Sequence, residues 1–263
     1  MDVFPTVDIK GGVVITYRDA DSDFGNIGFF SPYKQLVSIY NKVSSYKGVK
    51  LGAFSDIVSS QGIYKFEEKL LMSFPEIEEV QGKGTALKIT SNSFEQLTNL
   101  FTENKQEDSI QILGRCNNRR IYKWIKRSYI QSCDFCEKYN VFVTEANGTG
   151  AIGEILSTPI IGMPMTGHTD TFISVGKFDT LYEAEACLKY IKTKFARALL
   201  STLKATQHNP RDTWFNIPLQ DFTDNSDINW KESIEYIDQE LYAKYGLTDE
   251  EIAFIESMIK PME

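Results

Sequence analysis

The sequence lacks the segments on which several classes of protein depend. It has no run of about 18 apolar residues, so it predicts no membrane-spanning helix and no membrane partner. Its first residues have neither the basic stretch nor the apolar stretch of a secretory signal. Four cysteines in 263 residues are too few for a disulfide scaffold. Together these absences predict a cytoplasmic protein.

Negative charge is missing from two long stretches of the chain. The net charge is −8, but Asp212–Glu263 holds 13 acidic and 3 basic residues, so the preceding 211 residues carry +2. Ser109–Ser132 contains six basic residues and no acidic one, and so does the segment between Glu185 and Asp212. Protein surfaces usually mix both signs. Two explanations stay open: a surface that binds a polyanion, or two basic helix faces that pair with the acidic C-terminal segment.

The hydrophobic pattern predicts an α+β fold in three parts. Residues 1–30 read as a strand and a linker, and residues 31–180 as a mixture of strands, short helices and loops. Residues 181–263 are predicted to be mostly helical. There, apolar residues at three- and four-residue steps predict one long helix from Tyr182 to about Thr206. A further helix is predicted around Trp230–Tyr245, and another opens with a capping box at Thr248.

Motifs for catalysis, cofactors and metals are weak. Gly148, Gly150 and Gly153 match a dinucleotide-binding pattern, but a segment rich in proline and glycine follows them where that pattern requires a helix. Cys133 and Cys136 have the spacing of half a zinc site, without a second pair of cysteines or histidines. We therefore predict no catalytic, cofactor-binding or metal-binding residue in this chain.

Several motifs occur in the order typical of one enzyme family. The start contains FPTVDIKGGVVITY, and the second half contains, in order, NVFVTEANGTGAIGEILSTPIIGMP, HTDTFISVGKFDT, YIKTKFARALLSTLKATQ, WFNIPLQDFTDNSDINW and IDQELYAKYGLTDEEIAFIESMI. Over residues 3–20 and about 139–260, the chain resembles the C-terminal region of adenine-specific DNA methyltransferases from type II restriction–modification systems, including fused restriction–methylation enzymes.

The chain also departs from that family. The family's catalytic domain carries a glycine-rich S-adenosylmethionine loop and an Asn-Pro-Pro-Tyr type motif, and neither occurs here. The segment most similar to the second motif is Asn209–Pro210–Arg211. The resemblance therefore implies a target-recognition region, residues 31–180, that lacks its own catalytic motifs. Residues 1–30 would be the end of a methyltransferase domain, and 181–263 a helical brace. S-adenosylmethionine would bind the catalytic domain or subunit, which is the expected partner together with double-stranded DNA.

The basic residues and two loops supply the predicted DNA contacts. Arginine and asparagine bind guanine and adenine edges in a bidentate manner, and lysine and arginine neutralise phosphates. The predicted base readers are Arg115, Asn117, Asn118, Arg119 and Arg120. The predicted phosphate contacts are Lys123, Lys126, Arg127, Lys194, Arg197 and Lys204. The loop candidates are Asn147, Thr149, Thr166, His168 and Thr169.

An alternative function stays open. The acidic C-terminal helices could dock a protein partner, as in a specificity subunit of a restriction–modification complex, with little DNA contact by this chain. Acidic helices repel phosphate, and the net charge of −10 over Asp212–Glu263 favours this alternative.

Overall fold

The computed structural model describes residues 16–23, 25, 29–81, 87–117, 119–148, 152–153 and 156–262. Helices and small sheets are both present and the C-terminal part is helical, so the predicted α+β fold class is confirmed. The strand predicted near the start of the chain lies largely outside the described residues. Within the described part, no helix is long and apolar enough to cross a membrane.

In the described residues three α-helices precede the strands, of which the second and third are short, and four α-helices follow them. The α-helices are α1 (Lys34–Ser44), α2 (Glu76–Gln81), α3 (Ser93–Gln96), α4 (Leu181–Lys192), α5 (Lys194–Leu200), α6 (Ile234–Lys244) and α7 (Asp249–Met258). Single turns of 3₁₀-helix lie at Phe54–Ile57, Glu68–Met72, Arg127–Tyr129, Asp134–Glu137 and Arg211–Trp214.

The prediction of one long helix from Tyr182 to about Thr206 is wrong, because the helix is interrupted at Thr193. This buried residue leaves the helical conformation, with φ −57° and ψ 148°. Its hydroxyl donates to the carbonyl of Tyr190 in α4 and accepts from the amide of Ala196 in α5. Thr193 therefore ends one helix and caps the next, which a hydrophobic period alone does not indicate.

The other two C-terminal helices follow the prediction. Thr248 and Glu251 form the predicted capping box at the start of α7, since each side chain accepts a hydrogen bond from the backbone amide of the other. The side chain of Ser233 caps α6 in the same way through the amide of Tyr236.

The strands form two small sheets. They are β1 (Ser109–Cys116), β2 (Arg119–Lys126), β3 (Tyr139–Thr144), β4 (Ile160–Gly162), β5 (Thr166–His168) and β6 (Phe172–Phe178). In the first sheet the order is β2-β1-β5, with an antiparallel β1–β2 hairpin and a parallel β1–β5 pair. In the second sheet β3 lies between β4 and β6, antiparallel to both.

Two hydrophobic cores organise these elements. The first contains the apolar faces of α1, β3, β6 and α4–α7, so the predicted boundary at residue 180 falls inside it. The second lies between Tyr64 and Cys136 and packs against one face of the β1–β2 hairpin. A small cluster of Leu113, Phe142 and Phe172 joins the two sheets. The hairpin is thus anchored by the second core and by the neighbouring sheet.

Candidate nucleic-acid interface

The first basic stretch folds as the β1–β2 hairpin and not as a helix. Eight consecutive pairs run from Ser109 opposite Lys126 to Cys116 opposite Arg119. Asn117 turns the chain with φ 48°, in the left-handed region that asparagine tolerates better than most residues. Its predicted neighbour Asn118 lies outside the described residues. Neither strand contains an acidic residue.

Side chains of the hairpin alternate between two faces. Ile110, Ile112 and Ile125 are buried in the second core and define the inner face. The residues that alternate with them point the other way, and of these Leu113 is buried against the second sheet. We call the charged and aromatic residues on this side the outer face of the hairpin: Arg115, Arg120, Tyr122, Trp124 and Lys126.

The outer face combines cations with aromatic rings. Tyr122 keeps 39% of its surface exposed, and Arg115 and Lys126 are exposed. The ammonium of Lys105 lies 5.5 Å from the centre of the Trp124 ring and adds a further exposed cation. Arg119 is exposed beside the turn. Such a surface can bind phosphates through its cations and stack on bases or sugars through its rings.

Arg115 and Arg120 are directly opposite each other across the two strands. Like charges in this position destabilise a sheet. Among the described residues, no carboxylate forms an ion pair with either guanidinium. Arg120 is half-buried over the Phe172 ring and donates to the Thr158 carbonyl at 2.6 Å. Its pKa is lowered mainly by burial and also by the positive charge of Arg115. The fold therefore maintains positive charge here at some cost in stability.

Lys123 and Arg127, predicted to hold phosphates, serve the packing of the hairpin. Lys123 lies on the inner face, with its ammonium 3.3 Å from the Glu103 carboxylate and 5.7 Å from the centre of the Phe94 ring. Arg127 donates to the carbonyl of Ile130 at 2.8 Å. Both are partly buried, so these two cations are less available than those of the outer face.

The second basic stretch is built into the helical region, which corrects the prediction that Lys194, Arg197 and Lys204 hold phosphates. Lys194 forms an ion pair with Glu256 of α7. Arg197 is buried, donates to the carbonyls of Lys192, Thr193 and Lys260, and has its pKa lowered by burial to about 10. The alternative explanation, pairing with the acidic C-terminal segment, applies to Lys194, whereas Arg197 donates to the Lys260 carbonyl of that segment.

Lys204 and Asn147 belong to one buried cluster. The Lys204 ammonium donates to the side-chain oxygens of Asn147 and Asn209 at 3.2 and 2.8 Å and to the backbone oxygens of Asn147 and Gln207 at 3.0 and 3.3 Å. Only 7% of Lys204 is exposed. The cluster fixes the chain at Asn147, just before the predicted site residue Thr149, which lies outside the described residues.

Thr166, His168 and Thr169 are also buried, which corrects their prediction as DNA contacts. The nitrogens of His168 lie 2.8 Å from the Thr169 carbonyl and 2.9 Å from the Ser174 hydroxyl, and its ring packs edge-on against Tyr64 and Phe142. Burial lowers the pKa of His168 to about 4. It is therefore a neutral core residue at pH 7.

A polar cavity of about 370 Å³ opens at the Arg115 end of β1. Its charged and amide-bearing lining residues are Gln61, Arg115, Glu145 and Asp170. Sequence reasoning missed Glu145 and Asp170 because they are far from the basic stretch in the chain. It missed Lys105 because Glu107 and Asp108 separate this lysine from the acid-free run. Tyr122 and Trp124 could have been placed on the outer face, since RRIYKWIK alternates in the period of a strand.

The described residues contain no group of three or more histidine, cysteine, aspartate or glutamate residues that could hold a metal ion. Cys133 and Cys136 are free thiols, and burial raises the pKa of both. The outer face of the hairpin offers groups for ion pairing, hydrogen bonding and stacking.

No protein-family model matches this chain, and no curated protein is detectably similar to it. The resemblance to adenine-specific methyltransferases accordingly stands on the sequence motifs alone.

Proposed function

We propose that this chain binds double-stranded DNA and selects the sequence at which an adenine-specific methyltransferase catalytic domain or subunit acts. The observation that carries this proposal is the outer face of the hairpin. It places Arg115, Arg120 and Lys126 on one side of two acid-free strands, together with two aromatic rings.

The end of the hairpin beyond Leu113, where β5 no longer pairs with β1, suits this role. The major groove of B-DNA is about 12 Å wide and admits a two-stranded ribbon. The turn at Asn117 and the exposed Arg119 lie at the end of the ribbon, where side chains can contact base edges. Lys105 and Lys126 lie further along it, in positions suited to flanking phosphates. Phosphate contacts position a protein on the duplex, and base contacts give it specificity.

In this proposal the chain makes and breaks no covalent bond. S-adenosylmethionine and the adenine-gripping motif belong to the catalytic partner, as the resemblance implies. The helical region, in which the C-terminal segment occupies Lys194 and Arg197, packs against β3 and β6, and these strands contact the recognition hairpin through Leu113.

A duplex-binding titration of the purified chain at several salt concentrations tests the proposal. If five phosphates are neutralised, the logarithm of the affinity falls against the logarithm of salt with a slope of about −4.5. A flat salt response, or no binding at low salt, would contradict the proposal.

Exposed acidic residues favour the second candidate, docking of a protein partner by the C-terminal helices. Glu235 in α6 and Asp249 and Glu250 in α7 are exposed. Replacing these three by lysine would abolish such docking, whereas it would leave or strengthen the affinity for duplex DNA. A chain that binds no duplex but loses a partner through these changes would have this second function.

A further inference from the structure

The cavity at the Arg115 end of β1 is lined by a hydrogen-bond donor and by hydrogen-bond acceptors. Arg115 is exposed at its edge and supplies the donors. Glu145 and Asp170 are its carboxylates, but they differ in availability. Both oxygens of Glu145 lie 3.0 Å from Nδ1 of His208, so this carboxylate is already occupied. Asp170 is the remaining acceptor.

Three hydrogen bonds hold Asp170 in place, and one of them involves its carboxylate. One carboxylate oxygen accepts from the amide of Ser91 at 2.7 Å. The backbone of Asp170 is fixed by the side chain of Gln61, which donates to its carbonyl at 3.0 Å, and by the carbonyl of Ile89, which accepts from its amide at 2.9 Å. Within the described residues, the second carboxylate oxygen accepts no hydrogen bond. A rigidly placed acceptor therefore faces the cavity.

A carboxylate beside a DNA-binding surface repels phosphate and lowers general affinity. Burial raises the pKa of Asp170, and the nearby cation Lys88 lowers it. On DNA this carboxylate gains a partner from a base that offers an amino group, and the usual partner of aspartate or glutamate in the major groove is N4 of cytosine. Arginine binds O6 and N7 of guanine in a bidentate manner. A guanine–cytosine pair offers these acceptors and that donor next to each other.

We propose that Arg115 and Asp170 together recognise one G·C base pair of the target sequence in the major groove. The inference rests on the proposed DNA-binding function and adds the specificity-determining residues. Arg115 donates to guanine, and the free oxygen of Asp170 accepts from the cytosine amino group. Arg120, directly across from Arg115, keeps the positive charge at this position high.

Selection from a library of randomised duplexes, followed by sequencing, tests this inference on the whole chain. The wild-type chain should enrich a motif with at least one obligatory G·C pair. D170N and R115K should both relax the preference at the same pair, each by roughly tenfold, since a bidentate base contact contributes about that discrimination. R115K retains the charge, and Asn can still accept from Ser91, so both variants are compatible with the fold.

Matched variants separate this effect from general electrostatics. D179N removes an exposed carboxylate that pairs with Lys138 elsewhere on the surface, and should leave the motif unchanged. If the wild-type chain enriches a motif but neither D170N nor R115K relaxes a G·C position, this inference fails and the proposed function stands. Relaxation at an A·T pair also contradicts the inference. If the wild-type chain binds no duplex at all, the proposed function itself fails.

Discussion

The two basic stretches have similar compositions, but the fold exposes cations of the first and occupies those of the second. Ser109–Ser132 becomes a hairpin on whose outer face no cation forms an ion pair with a carboxylate of the described residues. In the stretch between Glu185 and Asp212, Lys194 pairs with Glu256, and Arg197 and Lys204 donate to backbone and amide oxygens. The difference comes from secondary structure. The second sheet covers the outer face of the hairpin at Leu113 and Arg120 and leaves Arg115, Tyr122 and Lys126 exposed. In contrast, α4 and α5 are surrounded by β3, β6, α6 and α7. Charge composition alone therefore does not identify a binding surface.

Replacing Lys204 by methionine should have the largest effect on stability. The change leaves the buried side-chain oxygen of Asn209 without its Lys204 donor and takes one donor from that of Asn147, which keeps the Asn209 amide; we expect a cost of roughly 4 kcal/mol. Urea unfolding measures the loss, with K260M as an exposed control. A loss below about 1 kcal/mol would show that this cluster is not structural and would reopen Lys204 as a phosphate contact.

The stability should also depend on pH through His168. Its pKa is about 4 in the folded protein against 6.5 in an exposed histidine, so the unfolded chain binds this proton more readily. As the pH falls from 6.5 to 4, about 3 kcal/mol of the free energy of unfolding should be lost. Asp238 acts in the opposite direction, because burial raises its pKa to about 6.

Comparison with the H168Q variant separates the contribution of His168 to the pH dependence of stability from that of Asp238. The H168Q protein retains Asp238, so the difference between the unfolding free energies of wild type and H168Q should shrink as the pH is lowered. Parallel pH profiles for the two proteins would contradict the buried, neutral state of His168 and restore it as a candidate contact.

The ion pair between Lys194 and Glu256 should contribute less. Both side chains are partly exposed, with 15% and 40% of their surface accessible, and pairs of this kind contribute at most about 1 kcal/mol. K194A should lower stability by that amount or less and leave duplex affinity unchanged. A large drop in affinity with unchanged stability would place the second basic stretch in the interface.

The smallest effect on stability is expected from the hairpin. Removing Arg115, Arg119 and Lys126 together should change the free energy of unfolding by about 0.5 kcal/mol or less, since these side chains are exposed. The change can even be favourable, because it removes the opposition of Arg115 and Arg120. A loss of several kcal/mol by thermal or urea unfolding would show that these residues are structural.

Much of the fold could be predicted from local patterns. The cap at Thr248, the helix after Ser31–Pro32 and the strands around Tyr139–Thr144 and Phe172–Phe178 depend on residues close in the chain. The break at Thr193 could not be predicted in this way. It is stabilised by Asp238, which accepts from the amides of Lys194 and Phe195 and lies more than forty residues away.

The candidate site was predictable only in part. The cations of Ser109–Ser132 are visible as an acid-free run, but separating Arg115 and Arg120 from Lys123 requires the strand period and the partner Glu103. The role of Asp170 depends on a cavity formed by segments distant in the chain. Burial of His168 and Arg197 likewise follows from packing and not from residue type.

The salt dependence of duplex binding tests the central claim most directly, when the hairpin is compared with other exposed cations. The double variant K105A/K126A removes the two cations assigned to phosphates and should reduce the magnitude of the slope of log affinity against log salt by about 2. The matched double variant K34A/K47A removes two exposed lysines elsewhere and should leave the slope unchanged. Equal slopes for the two double variants would contradict the assignment of the hairpin and Lys105 as the DNA-binding surface.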